Sequence, residues 1–305
     1  MKNNILTSVL CSSVFLLTAC GGGDSDTHYT GKEKLDFNKA ETIELISEPI
    51  IFLSNDRNNP ISYTAYYAET IHYSVTDPSI TTTCETGEIV KNTNGSITLN
   101  NCKNLKIDGE FHDEESNHED VILSGTIQTH ITDTANLEQY EITLNQFTIK
   151  YEDGAESYDG KIVQKYSSAQ PSTYVAQTDV NNMKITFVDD KNKQVYILSD
   201  YRLIETTSSA TVPTSVALGK LQGDLSNKIF SVNFTSQMKF GNQNPSHIPS
   251  DVNISIKDTA NIKNEITIEK ALNNNPYQFQ ISAFADGKSV AGFPKLGYWD
   301  DYLFD

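Results

Sequence analysis

Apolar positions fall into two regimes along this chain. Between residues 38 and 53 they recur at helical spacing: Ile43, Ile46, Ile50 and Leu53 share one face. Asn38 is placed to cap this segment, and Glu41 follows three residues later in the manner of a capping box. Pro49 lacks an amide hydrogen and crowds the preceding turn. A helix over 39–48 is therefore expected, with 49–54 left open. Ile61 to Tyr73 carries Tyr63, Tyr66, Tyr67, Ile71 and Tyr73, a pattern that fits helix and strand equally.

From about residue 80 the period changes to two. Thr, Ile, Val and Tyr alternate with polar residues, and turn signals interrupt them, as in antiparallel sheet. "EIVKNTNGSITLNN" reads as a hairpin around Asn94-Gly95. Further strands are expected near Lys184–Val188, Val195–Ile204, Ile229–Lys239, Asn253–Lys257, Glu265–Ile268 and Gln278–Phe284. "SSATVPTS" near Ser208 is the clearest internal loop. A weak repeat joins "ITLNNCKNLKI", "ITLNQFTIKYE" and "YILSDYRLIET", starting at Ile97, Ile142 and Tyr196. Each has two spaced apolar residues, two polar residues, then Cys102, Phe147 or Tyr201. In the second copy the apolar phase slips after Leu144, which predicts a bulge at Asn145-Gln146. The copies are too unevenly spaced for a solenoid. The expected fold class is mainly β: a large twisted antiparallel meander sheet, curled into a roll or partly open barrel, with the N-terminal helix packed against it.

The N-terminus reads as a secretory signal. Lys2 supplies positive charge, Ile5 to Leu17 an apolar stretch, and small residues follow. That stretch is shorter than the roughly 20 apolar residues of a membrane-spanning helix. The run Leu17-Thr18-Ala19-Cys20 resembles the lipobox of bacterial lipoproteins. The resemblance implies cleavage before Cys20, a diacylglyceryl group on its thiol and a palmitate-type acyl chain on its new amine. Two or three such chains hold firmly where one holds marginally. Gly21, where an aspartate would retain the protein, implies release to the outer membrane. The expected order is a signal peptide over 1–19, a lipidated flexible tether over 20–34, and one β-rich domain over 35–305. Gly21-Gly22-Gly23 and the polar residues after them cannot bury enough apolar surface to order themselves.

"FNKAE", "TCETGEI…NGSITLNNC" and "ITLNQFTIKY", together with the lipobox, resemble a group of uncharacterised gammaproteobacterial outer-membrane lipoproteins. Their shared unit is a hairpin between two cysteines followed by many antiparallel strands. Ala285-Asp286-Gly287 stands where that group has a longer Asp/Gly-rich turn. The resemblance implies an anchor and a fold and carries no reaction.

Of four cysteines, Cys11 leaves with the leader and Cys20 takes lipid. Cys84 and Cys102 remain, in a chain bound for an oxidising compartment, and are expected to pair. Closing that loop is worth about 3 kcal/mol in the chain-entropy model. A two-residue Asn94-Gly95 turn would put them on opposite faces. A three-residue Thr93-Asn94-Gly95 turn makes them diagonal neighbours, and a turn centred on Thr93 puts them opposite each other. Side-chain alternation requires one of the last two, or a bulge.

The chain has 23 basic and 40 acidic residues, a formal charge of −17. This excess disfavours nucleic acid and anionic lipid surfaces as partners. No nucleophile elbow, zinc-protease helix, phosphate loop or dinucleotide fingerprint is present. No enzyme activity, cofactor or metal is therefore expected. "FHDEESNHED" groups His112, Asp113, Glu115, His118 and Asp120. It reads as a solvated hairpin tip, with divalent-cation binding as the alternative. Asp189, Asp190 and Asn192 read as a polar turn rather than a calcium loop. "GYWDDYLFD", with the single tryptophan Trp299, reads as a closing strand docked on the core, or else an exposed partner segment. The expected role is binding or envelope interaction by an outer-membrane lipoprotein. Carriage of lipid or another apolar ligand is the alternative, and a wide apolar cavity would favour it.

Overall fold

The computed structural model describes residues 32–55, 58–108, 120–170, 173–189, 192–208, 212–225, 228–241, 248–273 and 275–303. Those from Glu33 onward form one compact unit. Two helices open it. α1 (Ala40–Phe52) buries Ile43, Ile46, Ile50 and Ile51, the face the periodicity assigned. Its boundaries differ from expectation. Lys39, not Asn38, is the N-cap, and the Asn38 side-chain amide instead bonds Asp36. The helix does not stop at Glu48 but runs through Pro49 to Phe52. Burial of Ile50 and Ile51 beyond the proline offsets the missing hydrogen bond.

α2 (Pro60–Thr76) resolves the ambiguous tyrosine-rich stretch as helix. Asn59 starts it: its side-chain oxygen accepts from the amides of Ile61 and Ser62, and Pro60 occupies the first turn. Asn59 is fully buried, and its Nδ2 donates to the Asn55 carbonyl and to the Tyr201 hydroxyl. Asn55 and Asn59, both buried, thus tie the end of α1 to the start of α2.

The remaining elements are almost wholly strands. β1 (Glu33–Lys34) runs parallel to Lys228–Ile229. Then follow β2 (Thr81–Lys91), β3 (Ile97–Asp108), β4 (Ile122–Thr134), β5 (Leu137–Lys150), β6 (Gly154–Gln170), β7 (Thr173–Asp189) and β8 (Lys193–Ser208). β9 (Thr214–Leu225), β10 (Lys228–Phe240), β11 (Pro249–Asp258), β12 (Glu265–Lys270), β13 (Gln278–Ala285), β14 (Lys288–Ser289), β15 (Lys295–Tyr298) and the one-turn α3 (Asp300–Leu303) complete the chain. From β2 to β14 each strand pairs antiparallel with the next, in one 15-stranded sheet. β15 also pairs with β13, and the two ends of the sheet do not pair, so it is not closed into a barrel.

The sheet curls around the helices. Thr82 of β2 bonds the Ser74 carbonyl, and Tyr140 of β5 meets Tyr73. Tyr201 of β8 donates to the Leu53 carbonyl, Ser215 of β9 to the Ser54 carbonyl, and Lys295 of β15 pairs with Glu44. One buried cluster joins the helical isoleucines to Leu144, Phe147, Ile149, Leu198, Val232 and Ile254 of the concave face.

A crease across the strands produces the curl, and it is the physical content of the weak repeat. Asn101, Gln146 and Asp200, the second polar residue of each copy, have left-handed backbones with φ of 48°, 49° and 51°. Register shifts occur at each: between Leu99 and Cys102, between Leu144 and Phe147, and between Ser199 and Arg202. The bulge at Asn145-Gln146 is where the phase slip put it. Strands between the bulged ones answer with glycine. Gly125 of β4 has φ 104°, and a Cβ there would overlap the Gln146 carbonyl. Gly160 of β6 sits opposite Leu144 and Met183. Bulges and glycines bend strands locally and increase their twist.

β9 is a strand the pattern did not predict. "SVALGKLQGDL" contains two glycines, which weaken strand propensity. In the fold Phe234 pairs with Gly219 and Phe230 with Gly223, each ring lying over the glycine beside it. Packing from the neighbouring strand replaces what the local sequence lacks.

Candidate functional site

The concave face changes chemistry along its strands. Ile162, Val180 and Leu203 are buried beneath the helices. One alternate position further on stand Gln164, Thr178 and Glu205, which with Glu156 are polar residues lining a recess. Gln164 and Thr178 are 5% and 7% exposed, so the floor is deep. The N-terminal turns of α2 form the facing wall with Pro60, Ser62, Tyr63 and Tyr66, and Tyr151 and Tyr166 complete it. The groove so enclosed measures about 870 Å³. Beyond Asn58, Pro60 and Glu156, which line both spaces, a second recess of about 410 Å³ opens between α1 and β7–β9. Its lining is largely apolar: Leu45, Pro49, Phe52, Ile185, Phe187 and Leu221.

Tyrosines are placed here by a pattern in the strands. Tyr158 donates to Glu156 at 2.6 Å, Tyr166 to Gln164 at 3.2 Å, and Tyr196 to Gln194 at 3.0 Å; Tyr140 donates to Glu138. In each case the acceptor lies two residues before the tyrosine, so strand alternation puts both on the same face. The hydroxyl is held and the ring face is left for packing. Tyr73, Tyr140, Tyr166 and Tyr174 then form a row across α2, β5, β6 and β7, with ring centroids 6.3, 5.9 and 6.1 Å apart. Because Tyr140 donates to Glu138, Tyr73 is the donor in the 2.9 Å contact between the two hydroxyls.

Tyr63, Tyr140, Tyr151 and Tyr174 stay protonated at neutral pH. Burial, followed by Glu156 and Tyr67, pushes Tyr151 up to about 12. Burial also raises Tyr63, Tyr140 and Tyr174, with nearby carboxylates and hydroxyls adding to it. The site therefore offers hydroxyl donors and aromatic faces, not phenolate nucleophiles. Glu69 of α2 lies beside this row. Burial raises its carboxyl to about 7, and Glu138 adds to the effect. Its Oε1 is buried without a hydrogen-bond partner among the described residues, as is Nδ1 of His72 one helical turn on.

The residues singled out from the sequence fare differently. Cys84 and Cys102 are bridged, with Cα atoms 5.2 Å apart. The turn is the three-residue one: Asn92 and Ser96 close it at 2.8 Å, and Gly95 has φ 81°. Near the turn Lys91 pairs with Ile97, and beyond Gly87 the register shifts. A three-residue turn and a bulge are both present. Cys20, the leader and the tether up to residue 31 lie outside the described residues, as do His112, Asp113, Glu115, His118 and Asp190. Asp120 pairs with Lys103 at 3.0 Å. Asp189 accepts from the Asn192 amide at 2.6 Å, as a polar turn does. Trp299 is buried against Phe279, with centroids 4.4 Å apart, and follows β15. It belongs to the core, as the closing-strand reading had it. Among the described residues no three His, Cys, Asp or Glu side chains are grouped to hold a metal.

Sequence reading missed the groove. The signal available was Glu/Gln-x-Tyr in Glu138–Tyr140, Glu156–Tyr158, Gln164–Tyr166 and Gln194–Tyr196. The chain matches no family model, no curated protein and no solved structure.

Proposed function

We propose that this protein is a lipid-anchored, non-enzymatic binding protein of the bacterial outer membrane, and that its ligand occupies the groove between α2 and β6–β8. The observation that carries the binding role is the groove itself. Its volume lies within the range of small-molecule sites, and aromatic faces combine there with a few fixed polar groups. The lipobox-like run at Leu17–Cys20 and the Gly-rich tether support the anchor. Carriage of an apolar ligand is the second reading, favoured by the apolar lining of the smaller recess.

Native mass spectrometry of protein extracted in mild detergent tests the binding role. A bound small molecule, absent from Tyr166→Ala, is the expected result. Its retention in Tyr166→Ala but loss from Phe187→Ala would move the site to the apolar recess. Wild-type protein free of any adduct would overturn the reading.

A further inference from the structure

The lining of the larger groove restricts what it takes, given that it is a binding site as proposed above. An alkyl ligand would desolvate Gln164, Thr178 and Glu156 without returning hydrogen bonds to them. An anion would meet Glu156 and Glu205, with no lysine, arginine or histidine among the described lining residues. A ligand with many hydroxyls and flat faces of C–H groups matches both the polar floor and the aromatic walls. Tyr63, Tyr66, Tyr151 and Tyr166 supply aromatic faces for those C–H groups. Tyr66 is 58% exposed and Tyr63, on the same helix, 42%, so both present aromatic surface to solvent. Tyr166 is held at its hydroxyl by Gln164 and backed by Tyr174 at a ring tilt of 18°, so its ring is set before any ligand arrives.

We propose that the groove binds an oligosaccharide, with sugar rings laid against Tyr66 and Tyr166 and hydroxyls bonded by the amide, hydroxyl and carboxylate of Gln164, Thr178 and Glu156. The carboxylate and amide side chains are planar and present paired acceptors or a donor and an acceptor, which suits vicinal hydroxyls. The groove's volume of about 870 Å³ is several times that of one sugar ring, and so suits a short chain rather than a single sugar.

The test is an array of neutral and acidic oligosaccharides probed with the detergent-solubilised full chain, followed by titration of the best glycan. Micromolar or tighter binding is expected. Tyr66→Ala and Tyr166→Ala should each weaken it by about tenfold or more, equivalent to about 1.4 kcal/mol. Tyr298→Ala, an exposed tyrosine on β15, should leave it unchanged. Tyr66→Ala removes an exposed side chain, so its melting temperature serves as the check that the fold persists. Absence of binding to any glycan overturns the proposal, as does binding that ignores both groove variants. Choline and spermidine are titrated in parallel, and groove-dependent binding of either without a glycan assigns the site to organic cations instead. An empty array with a different adduct in native mass spectrometry, lost in Tyr166→Ala, removes the oligosaccharide and keeps the binding protein. Failure of both experiments removes both.

Discussion

The Glu69 carboxyl is half-buried on α2, one of its oxygens has no partner among the described residues, and Glu138 adds like charge. Its folded-state value of about 7 lies above the ordinary 4.5. Below pH 4.5 both folded and unfolded chains carry it protonated, and it brings no penalty. As pH rises from 4.5 to about 7 the unfolded chain releases this proton while the folded chain keeps it, so stability falls across that window, and above 7 the folded chain carries the buried charge at the full penalty. Glu69→Gln should therefore raise the melting temperature at about pH 8 and leave it unchanged near pH 4. The gain at the higher pH, discounted for partial exposure, is about 1–2 kcal/mol. Thermal melts of both proteins at the two pH values check this, and an equal shift at both would show that the carboxyl does not titrate in this way. Nothing in the local sequence sets Glu69 apart from Glu44 or Glu48 of α1 beyond helical phase. Its burial and its neighbour on β5 come from parts of the chain far apart.

Elements were legible to different depths. The β2–β3 hairpin was readable because Asn94-Gly95 fixes the turn and the cysteines restrict its register. Its bridge should stabilise the fold through the unfolded chain. Cys84→Ser is expected to cost about 3 kcal/mol under oxidising conditions, and to cost little once the wild type is reduced. Denaturant melts with and without reductant measure the difference. The repeat was visible as letters but not as a crease, because the bulges show only when glycines on neighbouring strands are aligned with them. Gly125→Ala tests that alignment. The added methyl meets the Gln146 backbone at a left-handed φ, and a loss of about 2 kcal/mol or more is expected. A loss below about 0.5 kcal/mol would mean that the crease relaxes freely. The first helix was read with the right face and its course past Pro49 left open, since side-chain spacing fixes orientation, whereas tertiary burial decides how far a helix runs past a proline.

At the scale of the whole molecule, the meander keeps successive strands adjacent, so the thirteen strands from β2 to β14 assemble by hairpins alone. What local pairing does not supply is the curl that brings β15 to Glu44 while β2 meets Ser74. The helices fill the hollow, and the groove is the part of it they leave uncovered. The charge of −17 opposes self-association, and the proposed anchor would act through acyl chains on Cys20. Cys20→Ala should move the protein from membrane to soluble fractions, read by immunoblot after fractionation, with loss of labelling by a palmitate analogue. Membrane retention without the label would overturn the anchor.

The amino-acid order alone determined the strand-rich class, the antiparallel meander, the pairing of the two cysteines, and the apolar face of α1. These follow from side-chain period and turn chemistry, which act over a few residues. Tertiary structure decided that the tyrosine-rich segment is a helix, that β9 is a strand despite its glycines, and that residues of α2, β6, β7 and β8 converge on a groove. Each of those depends on packing between residues distant in the chain, where neighbouring rings, bulges and buried hydrogen bonds outweigh the preference of the local sequence.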